Sequence, residues 1–104
     1  VTTARPHIHF VTGRLAEHAL RQVLERLAPR VGFDCTVQVM NITVAALMTT
    51  GWIAKRLEVP AGTTRVLIPG GCRGPLDAFA AVTDVRVERG PEDLRRLDEF
   101  FGQQ

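Results

Sequence analysis

The stretch from His7 to Met40, HIHFVTGRLAEHALRQVLERLAPRVGFDCTVQVM, decides the fold. Its opening run, His7 to Thr12, is short, β-branched and aromatic, and Gly13 stops it, which predicts a buried strand. The period then changes. Leu15, Ala19, Leu20, Val23, Leu24, Leu27 and Ala28 recur at helical spacing, with Arg14, Glu17, His18, Arg21, Glu25 and Arg26 between them. This predicts an amphipathic helix of about four turns, ended near Pro29 and Gly32. Phe33 to Met40 alternates and is rich in Val and Thr, so the period becomes that of a second strand. Strand, helix and strand in this order form a parallel crossover unit.

Downstream of this unit the pattern repeats. Asn41 offers a cap for a periodic segment, Ile42 to Leu57, whose Val44, Ala45, Leu47, Met48, Trp52, Ile53 and Ala54 leave little polar face. Gly51 inside it costs about 1 kcal/mol relative to Ala, which points to a kink or a close packing contact. After the turn Pro60-Ala61-Gly62 comes a strand, Thr63 to Ile68, ended by Pro69 and the glycines Gly70, Gly71 and Gly74. Pro75 can open a short helix through Ala81, and Val85 to Glu88 is a brief alternating strand, expected at a sheet edge. Gly90-Pro91-Glu92-Asp93 then starts a last helix with Leu94, Leu97, Phe100 and Phe101 on one face and early acids against its dipole. Four strands alternating with four helices predict a small doubly wound α/β domain over residues 1–104, a flavodoxin- or Rossmann-like three-layer sandwich with a mainly parallel sheet.

Composition agrees and narrows the function. A chain of 104 residues holds one domain, which excludes a complete multidomain enzyme within it. Hydrophobic residues make up 45% and charged residues 23%, so it should bury a core rather than stay disordered. Thirteen Lys plus Arg against eleven Asp plus Glu leave a net charge of +2, too small and too evenly spread for a nucleic-acid partner. The two cysteines, Cys35 and Cys72, have no C-x-x-C spacing, and no apolar run reaches the roughly 18 residues of a membrane span. Reduced thiols in a cytoplasmic protein are therefore expected. Val1 to Pro6 has no apolar core and is read as a short tail before the first strand rather than a signal peptide.

In an open parallel sheet, ligands bind outside the carboxyl ends of the strands. The residues there are Thr12-Gly13-Arg14 after the first strand, Asn41-Ile42-Thr43 after the second, Pro69-Gly70-Gly71-Cys72-Arg73-Gly74 after the third, and Arg89-Gly90-Pro91 after the fourth. Backbone N–H groups and guanidinium forks on one rim suit a phosphate or carboxylate. The candidate ligand-binding set is Thr12, Gly13, Arg14, Asn41, Thr43, Gly70, Gly71, Cys72, Arg73 and Gly74. The plainer alternative is that these glycines only make turns and the arginines are solvated. Neither the G-x-x-x-x-G-K-[ST] frame nor a dinucleotide fingerprint is present, so no nucleotide cofactor is implied.

Cys72 follows two glycines and precedes Arg73 near an expected helix start, a setting that lowers a thiol pKa and makes it a candidate nucleophile. It has no general base nearby, since His7 and His9 are expected at the amino end of the first strand, and an inert cysteine is the preferred reading. His7 and His9 share a strand face without a matching third ligand, so a structural pair is expected and no metal site.

Four blocks, His9 to Glu17, Val39 to Thr49, Val66 to Gly70 with Cys72-Arg73-Gly74, and Glu88 to Leu97 with Phe100-Phe101-Gly102, carry a family likeness. Together they resemble the amino-terminal domain of dihydropteroate synthase-like proteins. The resemblance implies an accessory, non-catalytic domain that precedes a synthase-like barrel in a longer chain and serves pterin cofactor biosynthesis. The implied partners are that barrel and a small anionic or pterin-related ligand, with a homo-oligomer also open. The implied signature is Thr12, Gly13, Arg14, Glu17, Asn41, Thr43, Gly70, Cys72, Arg73 and Gly74. Gly71 and Pro75 depart from the family pattern, where a bulky and an acidic residue are usual, which weakens a role built on the third loop's side chains and leaves a backbone anion site open. Two other classes stay open: a thiol-dependent enzyme or redox domain using Cys72, and a docking or dimerisation module using the apolar second helix with Phe100 and Phe101.

Overall fold

The first strand, β1 (His7–Thr12), forms over the run that the sequence marks, and all but its first residue are buried. A computed structural model describes residues 6–43 and 48–101 of the chain. Leu20, Leu24 and Leu27 form the buried stripe of helix α1 (Glu17–Val31). Full burial of such a side chain contributes about 1.5–3 kcal/mol, so this stripe seats the helix on the sheet. The helix runs past Pro29 and stops at Gly32, which takes the left-handed conformation at φ 94°. There the N–H groups of Gly32 and Phe33 both donate to the Ala28 carbonyl, at 2.8 and 3.1 Å. Pro29 lies on the exposed side, where a missing N–H is tolerated, and the glycine supplies the stop.

Strand β2 (Asp34–Val39) pairs parallel with β1 along its whole length, from His7 beside Asp34 to Thr12 beside Val39. Strands β3 (Arg65–Ile68) and β4 (Arg86–Arg89) add on the other side, giving an all-parallel sheet in the order β2-β1-β3-β4. The chain therefore winds outward from β1 in both directions, and the winding reverses between β1 and β3. Each face carries its own core, so the sheet is the middle of three layers, as the alternation of strands and helices predicts. On the α1 face, Ile8, Phe10 and Leu67 pack with Leu20, Leu24, Leu27, Phe33 and Leu97. On the other, Val11, Val66 and Ile68 pack with Met40, Met48, Ile53, Cys72 and Phe79.

The second helix differs from expectation. Instead of Ile42–Leu57, helix α2 covers only Thr50–Ala54, while residues 44–47 lie outside the described residues. Asn41 does not cap it. The carbonyls of Ile42 and Thr43 accept the N–H groups of Arg14 and Leu15 at 2.8 and 3.2 Å, which ties this segment to the loop after β1. The helix starts at Thr49, whose hydroxyl accepts the Trp52 N–H at 3.1 Å. Gly51 makes no close contact, because a Cβ there would meet nothing within 4 Å.

The remaining helices are also shorter than predicted. The segment after Pro75 is a single 3-10 turn, Leu76–Phe79. The last begins as a 3-10 turn, Leu94–Arg96, whose Asp93 cap accepts the Arg95 N–H at 2.9 Å, and continues as α3 (Leu97–Phe100). Phe101 stacks on Phe33 at 5.1 Å, so the terminal aromatics close the α1 core. Among the described residues no helix is long and apolar enough to cross a membrane.

Candidate functional site

A cavity of about 460 Å³ opens at the carboxyl ends of β1, β3 and β4. Three loops and two helices build it. From the first strand and the start of α1 come Phe10, Thr12, Ala16 and Leu20. The loop after β3 contributes Pro69, Gly70, Gly71 and Arg73, and the loop after β4 contributes Gly90, Pro91 and Glu92. Leu67, Leu94 and Leu97 close the apolar wall. The cavity lies where the winding of the sheet reverses, the crevice in which doubly wound folds take their ligands.

Close backbone approach makes this shape possible. At Gly70 an added Cβ would fall 2.7 Å from Glu92 N and Pro91 C and closer still to the Gly90 carbonyl oxygen, so the third and fourth loops touch there. Only glycine permits that contact. Arg89 holds the third loop from below: its Nε donates to the Cys72 carbonyl at 3.2 Å and its Nη2 to the Gly74 carbonyl. Gly74 takes φ 113°, beyond the reach of an ordinary side chain. The loop is anchored to the second segment as well, since the Arg73 carbonyl accepts the Thr50 N–H at 2.8 Å.

The candidates from the sequence divide into two groups. Thr12, Gly70, Gly71 and Arg73 line the cavity together, whereas Gly13, Arg14, Asn41, Thr43, Cys72 and Gly74 do not. Arg14 is exposed and donates from Nη2 to the Thr43 hydroxyl at 3.2 Å, so the first and second loops clasp each other beside the cavity. Asn41 is exposed on the same side. Of the three rim arginines, Arg73 alone lines the cavity, and its guanidinium has no ion pair among the described residues. Residues not singled out from the sequence complete the wall, above all Ala16, Glu92, Leu94 and Leu97. The signal of Leu94 and Leu97 was present in the apolar stripe of the last helix, which reads as core alone, whereas Ala16 and Glu92 carry none.

Thr12 stands apart from its neighbours. Strand alternation places it on the α1 face with Ile8 and Phe10, and it is 3% exposed. Its carbonyl accepts the Met40 N–H at 2.8 Å, but its hydroxyl has no hydrogen bond to another described residue. No fully occluded side-chain oxygen among the described residues lacks a partner. The hydroxyl therefore reaches solvent, and the solvent beside it is the cavity that Thr12 lines.

The model of a family of unknown function, DUF6513, matches residues 6–92. The chain belongs to that family. No curated protein and no solved structure matches it. The matched span of this DUF6513 chain includes all four strands and nearly all of the cavity wall, ending at Glu92 and leaving out Leu94 and Leu97.

The other chemistry-bearing groups of this DUF6513 chain are held within the fold. Cys72 is 4% exposed, packs in the α2-face core and has its thiol pKa pushed up by burial, partly offset by the Arg89 charge. That setting lowers the thiolate fraction a nucleophile needs. Cys35 is half-buried and likewise raised, by burial first and then by the Asp34 charge. His9 contacts the Thr36 hydroxyl at 2.7 Å through Nδ1 and Gln38 Oε1 at 3.0 Å through Nε2, and His7 reaches the same Thr36 hydroxyl at 3.1 Å. Among the described residues no three His, Cys, Asp or Glu side chains gather to hold a metal.

Proposed function

We propose that this domain is an accessory, non-catalytic module of a dihydropteroate synthase-like protein in pterin cofactor biosynthesis, and that it takes a small ligand in the cavity at the carboxyl edge of its sheet. The observation that carries the ligand-binding part is the cavity itself. About 460 Å³ is the size of small-molecule sites, it lies at the reversal of winding, and its apolar wall carries few polar groups, Thr12, Arg73 and Glu92. The resemblance of the four sequence blocks supports the assignment to pterin chemistry. The burial of Cys72 favours this reading over a thiol-dependent enzyme.

The test is pterin formation by the parent synthase-like chain, with the domain intact, with it deleted, and with Arg73→Ala or Arg14→Ala. Deletion and Arg73→Ala should each lower product formation, Arg73→Ala by about tenfold at limiting ligand, because a guanidinium contact to an anion is worth about 1.5–3 kcal/mol. Arg14→Ala should do less, since Arg14 braces the loops from outside the cavity. Equal product formation in all four proteins would overturn the proposal.

A further inference from the structure

We infer that the cavity binds a phosphate monoester with an apolar body, its phosphate held at the amino end of α1 by the Thr12 hydroxyl, the first-turn N–H groups and Arg73. This rests on the reading of the cavity as a ligand site and adds the chemical class of the ligand. Three independent features converge. Helix α1 has 15 residues, begins beside the cavity at Ala16, and has no side-chain cap. None of its first-turn N–H groups, on Glu17, His18 and Ala19, makes a well-aligned hydrogen bond to a backbone acceptor among the described residues. The Glu17 carboxylate is turned to Arg21 at 2.8 Å and so does not serve them. Uncapped amides at a helix start attract an oxyanion.

The second feature is the Thr12 hydroxyl, buried on the same face without a hydrogen bond to another described residue. It meets the cavity and no protein acceptor among the described residues, so it is available to donate to an oxyanion there. The third is Arg73, whose guanidinium is free of other ion pairs among the described residues and lines the same cavity. Amides at the start of α1, a hydroxyl at the end of β1 and a guanidinium from the loop after β3 are donors from three elements, a number that suits a phosphate dianion better than a carboxylate.

Charge also sets the ligand's orientation. Glu92 lines the cavity from the loop after β4, whose backbone touches Gly70 of the loop after β3. Its carboxylate repels an oxyanion there, so the phosphate goes to α1. The apolar body then lies along Phe10, Leu67, Leu94 and Leu97.

Phenyl phosphate, phenol and inorganic phosphate are titrated into the 104-residue chain with amide chemical shifts as the readout. Phenyl phosphate should shift the amides of Glu17, His18, Ala19, Gly70 and Gly71 and bind more tightly than either fragment. Arg73→Ala should weaken it about tenfold and Thr12→Val about fivefold, each leaving phenol binding unchanged. Both variants keep the fold testable, because Arg73 is exposed and Val matches the shape of Thr. If phenol shifts the Leu67 and Leu94 signals while phosphate adds nothing at α1, the phosphate inference falls and the ligand-site reading stands. If none of the three shifts any cavity residue, both fall.

Discussion

Strand β1 carries two polar residues of equal burial, His9 and Thr12, each 3% exposed. They are treated in opposite ways. His9 sits in a closed chain of hydrogen bonds: Thr36 and Gln38 take its two ring nitrogens, and Gln38 passes the connection on. Its amide donates to the Arg56 carbonyl at 2.8 Å, and its oxygen accepts the Glu58 N–H at 3.0 Å. Thr12, three residues on, has a hydroxyl that faces an open cavity. The pair of histidines invites a metal or catalytic reading, yet their polarity is consumed in joining β1 to β2 and to the chain after α2. The ordinary threonine keeps its polarity available. Hydrogen-bond satisfaction, more than residue type, separates polarity spent within the fold from polarity left available in this sheet.

Truncating both residues gives the strongest way to break that comparison. His9→Ala removes two buried hydrogen bonds and leaves a void, and should lower the unfolding free energy by about 3 kcal/mol, read as an earlier urea midpoint. Thr12→Val removes no hydrogen bond between described residues and should change stability by less than about 1 kcal/mol. A larger loss for Thr12→Val than for His9→Ala would show that the open hydroxyl is structural after all.

Glycines sharpen the same contrast between closed and open regions. Gly70→Ala forces a Cβ against the backbone of Gly90 to Glu92, which cannot yield as a side chain can. It should cost about 2 kcal/mol and shift the amide signals along the fourth loop. Gly51→Ala, at a helical position with open space around it, should instead stabilise by about 0.5–1 kcal/mol. Destabilisation by Gly51→Ala would mean that α2 is packed on the side now seen as open.

A smaller effect is expected on the β3–β4 side of the α1 face. Arg65 Nε donates to Glu88 Oε1 at 2.5 Å, and Arg86 Nε lies 3.4 Å from the same oxygen. The hydrogen bond from Arg65, before the charges of Arg65 and Arg86, holds the Glu88 carboxyl below its ordinary 4.5. A carboxyl with a lowered folded pKa adds stability that is complete above its unfolded value and is lost as the pH falls through its folded value. Acid unfolding below about pH 4.5 should therefore be less steep in Glu88→Gln. Identical acid profiles for the two proteins would remove this pair from the acid response.

The sheet and α1 were legible in the sequence because each has a single strong period and a burial demand that matches it. His7 to Thr12 and the stripe Leu20, Leu24, Leu27 read the same locally and globally. The segment after Asn41 was not, because its helical period competes with backbone pairing to the loop after β1, a partner distant in sequence. For the candidate site, counting residues after each strand reached four cavity-lining positions, Thr12, Gly70, Gly71 and Arg73, since topology alone brings them to one edge. It also collected Arg14, Asn41 and Cys72, whose side chains turn elsewhere, and no local pattern tells which way a loop side chain turns. Ala16 and Glu92 escaped because neither residue type advertises a site.

Cys72 and Arg73 show that last point at adjacent positions. One packs into the α2-face core, and the next is exposed and lines the cavity on the α1 side. Their neighbourhood in sequence suggested an activated thiol, but burial raises the Cys72 pKa by more than the nearby Arg89 charge lowers it. Less thiolate at neutral pH and a closed surface both slow alkylation. In a Cys35→Ala background, modification of Cys72 at neutral pH should track the unfolding transition in urea. The small residual reaction of the folded protein should rise only at a pH above the ordinary thiol value of about 8.5. Rapid alkylation of the folded chain with an apparent pKa below that value would require the third loop to open and expose the thiol. The cavity wall built by Gly70, Gly71 and Arg73 would then be a mobile one, and thiol chemistry would return as a function of the same loop.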